Sequence, residues 1–334
     1  MKLTKRLLGL LMVLMLLMTA AGCGGGDEPK KDSGEKPAVP DKAEKIFLNI
    51  ATGGTSGVYY PLGGTMAEIL TKNIPNVTAT AQTSGASVAN VNMLAAGDVQ
   101  LAFVQNDIAY YADNGTEMFA DKKVAGLKCL ATIYPETCQV VTLKSSGITS
   151  IADLKGKKVA VGAAGSGAEA NARQILAAHG ITYEDIDPQY LSFSEAANGL
   201  KDGNIEAAFL TAGHPTAAIQ DISAQHEVVL LPIEGEVADK LLKEYPFYAK
   251  VTIPAETYPK QTADVNTIGV KAMLIATDKM EDQMAYDIVK AVYTNLDQMK
   301  AAHAVGALIS AETAQEGVSI PMHPGASKYF EEKK

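Results

Sequence analysis

The chain has 334 residues, 47% hydrophobic and 20% charged, which excludes a disordered tail, a collagen-like repeat and a disulfide-stapled miniprotein. At roughly 100 to 150 residues per domain the length supplies about two cores, and a mean hydropathy of +0.03 argues against a protein that crosses a membrane many times. With 38 acidic against 29 basic residues and a net charge of −9, nucleic acid is a poor partner, because its phosphates need clustered Lys and Arg.

In chain order, residues 1–22 place Lys2, Lys5 and Arg6 before an unbroken apolar run that ends in small residues, the layout of a secretory signal. Without that segment the net charge becomes −12 and Arg173 is the single arginine. Cys23 follows Thr19, Ala20, Ala21 and Gly22 and precedes three glycines, which resembles a bacterial lipobox with Ala20 in place of the usual Leu. The resemblance implies an acylated Cys23 that holds the protein outside the cytoplasmic membrane. A signal peptide cut nearby, or an uncut anchor helix, are the alternatives. Residues 24–44 are rich in Gly, Pro and charge and read as a flexible tether. Cys129 and Cys138 remain; an exported protein could pair them, but a tight turn at Tyr134-Pro135-Glu136 would bring Cys129 opposite a residue near 142, so free buried thiols are favoured.

From Lys45 onward β-rich runs alternate with helical patterns, which predicts an α/β protein with largely parallel sheets. IFLNIAT at 46–52 reads as a strand before a helix from Tyr59 to Asn73. A second helix begins at Ser84 or Ser87 and ends at Ala96, with Val88, Val91 and Leu94 on its apolar face and Gly97 as a left-handed stop. The segment 89–105 is echoed by 196–211 at a constant offset: Asn92 matches Asn198, Gly97 matches Gly203, Ala102 matches Ala208 and Phe103 matches Phe209. Each copy follows a glycine-rich turn, TGGTSGVYYPLGG at 52–64 and GAAGSGAEANARQIL at 162–176. Two lobes of one architecture are therefore expected: 45–140 with 267–334, and 141–266.

In open parallel sheets a ligand lies beyond the carboxyl ends of the strands. The loops there offer Thr55, Ser56 and Tyr59, with the backbone of Gly53, Gly54 and Gly57; then Gln82 and Ser84; then Gln105, Asn106 and Asp107; and from the second lobe Gly165, Ser166, Gly167, Thr211, Gly213 and His214. Helix starts attract anions. Several residues keep two readings. Ser84 is a contact or an N-cap, Ser166 a contact or a capping box with Glu169, Asp107 a partner for a ligand ammonium or a cap of the next helix, and Arg173 a ligand contact or a salt bridge. No GxSxG, GxGxxG or phosphate loop is complete, and His179, His214, His226, His303 and His323 are isolated, so neither an enzyme, a cofactor nor a metal is expected.

The ordered set TGGTSGVYYPLGG, QTSGAS, AFVQND, ATIYPE, SIADLKGKKVAVGAAGSG, NARQIL and IPMHPGA resembles the TAXI family of solute receptors, the extracytoplasmic group associated with TRAP transporters. The likeness covers 46–327. It implies a periplasmic-binding-protein fold of the type with two crossovers, closing on a small carboxylated solute such as glutamate, glutamine or a related acid, for delivery to a sodium-driven TRAP permease; a tethered monomer is the default state, which the sequence does not fix. Arginine poverty agrees with this branch. The family's binding region falls on Thr55, Ser56, Tyr59, Gln82, Ser84, Asn106, Gly165, Ser166, Gly167 and Thr211. A sensor subunit for a membrane kinase shares the same ligand binding and is the alternative.

Overall fold

The computed structural model describes residues 44–333; the signal segment, Cys23 and all of the tether but Glu44 lie outside them. Chain order runs β1 (Ile46–Ala51), α1 (Tyr59–Asn73), β2 (Val77–Gln82), α2 (Ser87–Ala96), β3 (Leu101–Gln105) and α3 (Asn106–Asn114) into the long β4 (Leu127–Leu143). A second series follows with β5 (Lys158–Ala160), α4 (Gly167–Ala178), β6 (Asp187–Gln189), α5 (Phe193–Lys201), β7 (Ala207–Ala212), α6 (Ala217–Ser223), β8 (Val228–Leu231), α7 (Gly235–Glu244) and β9 (Ala249–Ile253). The chain returns along β10 (Val265–Thr277) and closes with α8 (Asp282–Tyr293), α9 (Leu296–Ala302) and α10 (Pro324–Glu331).

The echo in the sequence is an echo in topology. β1 pairs in parallel with β2 and β3, and β3 pairs antiparallel with β10. In the second series β5 pairs in parallel with β6 and β7, and β7 pairs antiparallel with β4. β4 and β10 run antiparallel to each other and join the two series. The matched phenylalanines occupy matched places: Phe103 packs with α1 residues such as Leu62 and Met66, while Phe209 packs with α4 residues Ile175 and Leu176. Their neighbours Ala102 and Ala208 belong to the clusters on the opposite faces. Side chains alternate across a strand, so each half of the sheet is covered on both faces, as parallel strands require.

Helix boundaries follow local chemistry. α1 spans the expected residues, and α2 begins at Ser87 and stops at Gly97, whose φ is 83°. Tyr134-Pro135-Glu136 is not the expected turn, because β4 continues through it and Tyr134, Pro135 and Glu136 pair with Ala272, Lys271 and Val270. An irregularity in the register between Ala272 and Met273 is the kind of place where a strand tolerates a residue without an N–H. Cys129 and Cys138 are free and buried, though for another reason than the turn: nine steps along one extended strand separate them by roughly 30 Å, far beyond disulfide reach. The boundaries expected at 140/141 and 266/267 fall inside β4 and β10.

Candidate functional site

Every parallel strand of both series ends toward one cavity. Its lining from the first series comes from Gly53, Gly54, Gly57, Val58 and Tyr59 after β1, 84–87 before α2, and Gln105, Tyr134 and Glu136 on the strands. From the second series come Ala163 and 166–168 after β5, Ser192 and Phe193 before α5, and Thr211 and Ala212 at the end of β7. A water-sized sphere can be centred through about 80 Å³ of it, several times what one water needs. The tips of both glycine-rich loops thus share one space.

Tyr59, Ser84, Ser166, Gly167 and Thr211 line this cavity. Gly53, Gly54, Gly57 and Gln105, also expected at the strand ends, line it too; the remaining expected contacts lie outside its lining. Thr55 is exposed. Ser56 has a buried hydroxyl with no partner among the described residues. Gln82 gives its carbonyl to the amide and hydroxyl of Thr52. Asn106 is a pin between segments, donating to the Gly317 carbonyl at 3.0 Å and accepting from the Lys271 amide at 3.1 Å. Asp107 is buried and accepts from Asn171 Nδ2 at 2.9 Å and from the Ile108 amide. Gly165 bridges the two series, because its carbonyl accepts from the Val88 and Ala89 amides at 3.1 Å each. Gly213 is packed against Tyr134 and Val305 so closely that a β-carbon would overlap the valine.

The open alternatives now separate. Ser84 is no N-cap; its hydroxyl bonds Asn90 Oδ1 and accepts from the Ala86 amide. Ser166 is the N-cap of α4, accepting from the Glu169 amide at 3.1 Å, and lines the cavity as well. Glu169 does not close the capping box. Its carboxylate takes the Tyr183 hydroxyl at 2.8 Å and lies 3.7 Å from Arg173. Arg173 also meets Glu117 at 3.3 Å, so it forms ion pairs that tie α4 to the first series and is not in the lining. His214 bonds the Thr137 hydroxyl at 2.9 Å.

Four helices, α1, α2, α4 and α5, begin at the cavity wall, where backbone N–H groups and the helix dipole favour negative charge. The halves meet closely there: a β-carbon on Gly167 would overlap the Gln105 side-chain oxygen. Only glycine lets the start of α4 approach β3 this far.

The floor has the opposite character. Glu136 is 2% exposed and accepts from Gln105 Nε2 at 3.1 Å. Its other oxygen, the Gln105 carbonyl oxygen and the Tyr59 and Tyr134 hydroxyls are buried without partners among the described residues. Tyr59 is held by stacking on Phe103, with ring centres 5.1 Å apart, and by an edge contact to Tyr134 at 6.5 Å. Burial raises the Glu136 carboxyl to about 8, against the nearby tyrosine hydroxyls and the Gln105 bond that hold it down, and nearby Asp107 raises it further. Burial also lifts Asp107 to about 6, countered by the Ile108 amide and Asn171. No Lys, Arg or His lines the cavity. Sequence reasoning had Gln105 but passed over Tyr134 and Glu136. The available signal was a lone acid in a 17-residue strand that is otherwise almost wholly apolar or neutral.

Residues 50–333 match the NMT1-like family. The chain belongs to that family. In solved structures, the alkanesulfonate-binding protein from Xanthomonas axonopodis pv. citri bound to MOPS aligns with a TM-score of 0.50 at 18% identity, covering 86% of this chain and 84% of its own. PhnD1 from Prochlorococcus marinus in complex with methylphosphonate aligns with a TM-score of 0.51 at 12% identity, covering 75% and 84%. At such identities the likeness is one of fold: a mixed α/β, bilobal periplasmic-binding-protein fold. In this NMT1-like chain the matched residues include both series of strands except the start of β1, and every residue of the cavity lining.

Proposed function

We propose that this chain is an extracytoplasmic solute receptor whose lobes, 45–140 with 267–334 and 141–266, close on a small carboxylated solute. The observation that carries the reading is the convergence of four helix starts from two matching series on one small cavity that has no cationic side chain. An oxyanion there is held by backbone N–H groups and hydroxyls, for which glycines at 53, 54, 57 and 167 give close access. The two structural neighbours carry small organic anions by their descriptions, MOPS and methylphosphonate, which agrees with a site of this kind.

The solute shifts the population toward the closed arrangement by its preference for that state, and no covalent step is required. The TAXI resemblance supports delivery to a TRAP-type permease, and the signal and Cys23 pattern supports a lipid anchor outside the membrane. A thermal-shift screen of small carboxylic, amino, sulfonic and phosphonic acids tests the receptor reading: one acid raises the melting temperature progressively with concentration. If none does, the reading fails. Reconstitution with a TRAP permease and an imposed sodium gradient tests the partner, since uptake should require both.

A further inference from the structure

The helix starts invite an anion, yet the cavity floor is acidic and rich in acceptors. Gln105 Nε2 is committed to Glu136 Oε2 at 3.1 Å and Asn171 Oδ1 at 3.2 Å, which orients the Gln105 carbonyl oxygen toward Gly167. That oxygen can only accept, as can Glu136 Oε1 once the carboxyl is ionised, and neither has a hydrogen-bond partner among the described residues. The Tyr59 and Tyr134 hydroxyls stand beside them, also unpartnered. Glu136 and Gln105 are each 2% exposed, so bulk solvent barely reaches them. A buried acceptor without a donor is unfavourable, and a buried carboxylate without a cation more so.

Groups that titrate around Glu136 add no positive charge. They are Tyr59 from α1, Asp107 from α3, and Tyr134 and Cys138 from its own strand. Asp107 opposes ionisation of Glu136, and the nearest arginine is engaged by Glu117 and Glu169. Burial therefore favours the protonated Glu136, and a cation that would hold its ionised form has to arrive with the guest.

We infer that Glu136, aided by the Gln105 carbonyl oxygen and the two tyrosine hydroxyls, receives a protonated nitrogen of the solute, so that the guest is a zwitterion with its acid group toward the helix starts. This rests on the receptor reading above and narrows it. A dicarboxylate, sulfonate or phosphonate lacking nitrogen brings a second negative charge to an acidic floor and binds only against the protonated form of Glu136.

Isothermal titration with the L-amino acids, each paired with its 2-oxo acid, and with glutarate, methanesulfonate and methylphosphonate tests the inference. The tightest probe should carry an ammonium group and bind at least roughly 30-fold more tightly than its nitrogen-free partner. Glu136→Gln should remove that preference and leave the nitrogen-free acid bound as well as before or better. Glu136→Asp should restore part of it. At pH 7.5 the wild-type protein, whose empty-cavity Glu136 sits at about 8, should release a proton on binding the ammonium probe. The heat then depends on the ionisation enthalpy of the buffer, and Glu136→Gln abolishes that dependence. If a nitrogen-free acid binds equally well, or if Glu136→Gln keeps the preference, the inference is overturned and the receptor reading stands. If no acid binds at all, both fall.

Discussion

The two series of strands share one topology and differ at their helix starts. In the second series α4 is capped by Ser166 with Glu169 in its first turn, and α5 by Ser192 in a full capping box with Glu195. In the first series α1 and α2 have no side-chain cap and no acid in the first turn. The α2 start is served instead by the Gly165 carbonyl of the other series. Helix ends need acceptors from somewhere. The second series carries its own, whereas the first takes some from across the cavity and leaves α1, beside the unpartnered Ser56 hydroxyl, without a side-chain acceptor. A repeated fold can therefore be self-sufficient in one copy and incomplete without a guest in the other.

Acidity gives the widest test of this contrast. The first series holds Glu136 in the floor at about 8 and Asp107 behind it at about 6, both above the roughly 4 of an unfolded carboxyl. A raised carboxyl keeps its proton in the fold and loses it on unfolding, so its stabilising contribution is complete below pH 4 and fades as pH rises through the folded value. The empty protein should lose about 1.4 kcal/mol per pH unit for each such group inside its window, the Glu136 window reaching to about 8. Melting curves from pH 4 to 8 should fall accordingly. Glu136→Gln should flatten them and raise the melting temperature at pH 8, the reverse of what a stabilising ion pair would give.

Contact between the copies is the next point to break. Gly167→Val places side-chain atoms where the Gln105 oxygen sits, and overpacking of this sort is unfavourable by about 1–3 kcal/mol. Affinity for the solute should fall by roughly 5- to 150-fold, while small-angle scattering should show no contraction on adding it. Unchanged affinity would mean that the halves need not approach this closely.

Caps supply a finer comparison. Ser192→Ala and Ser166→Ala should each lower stability by about 1 kcal/mol. Both serines line the cavity, but Ser166 alone has Gln105 over the residue that follows it, so its removal should weaken binding more than that of Ser192. Equal binding losses would remove the distinction. The smallest effect is expected at Arg173. Its partly exposed pairs with Glu117 and Glu169 are worth under about 1 kcal/mol, so Arg173→Gln should change stability slightly and lose even that effect at high salt.

Sequence pattern was enough for the α/β alternation, the bounds of α1 and α2, and the duplicated order of elements, because periodicity and a glycine stop act within a dozen residues. It also reached Tyr59, Ser84, Ser166, Gly167 and Thr211 of the cavity wall, since these follow the ends of strands. Asn106 and Asp107 also follow a strand end, but their side chains are drawn away by Gly317, Lys271 and Asn171, partners 60 or more residues distant. The acidic floor was hidden for a related reason. Pro135 beside Glu136 has the local preference of a turn, and pairing with β10, over 130 residues later, overrides it. Local propensity and spacing were properties of the sequence; whether a carboxylate ends in water or under a cavity without a cation was decided by long-range strand pairing, which only the assembled sheet contains.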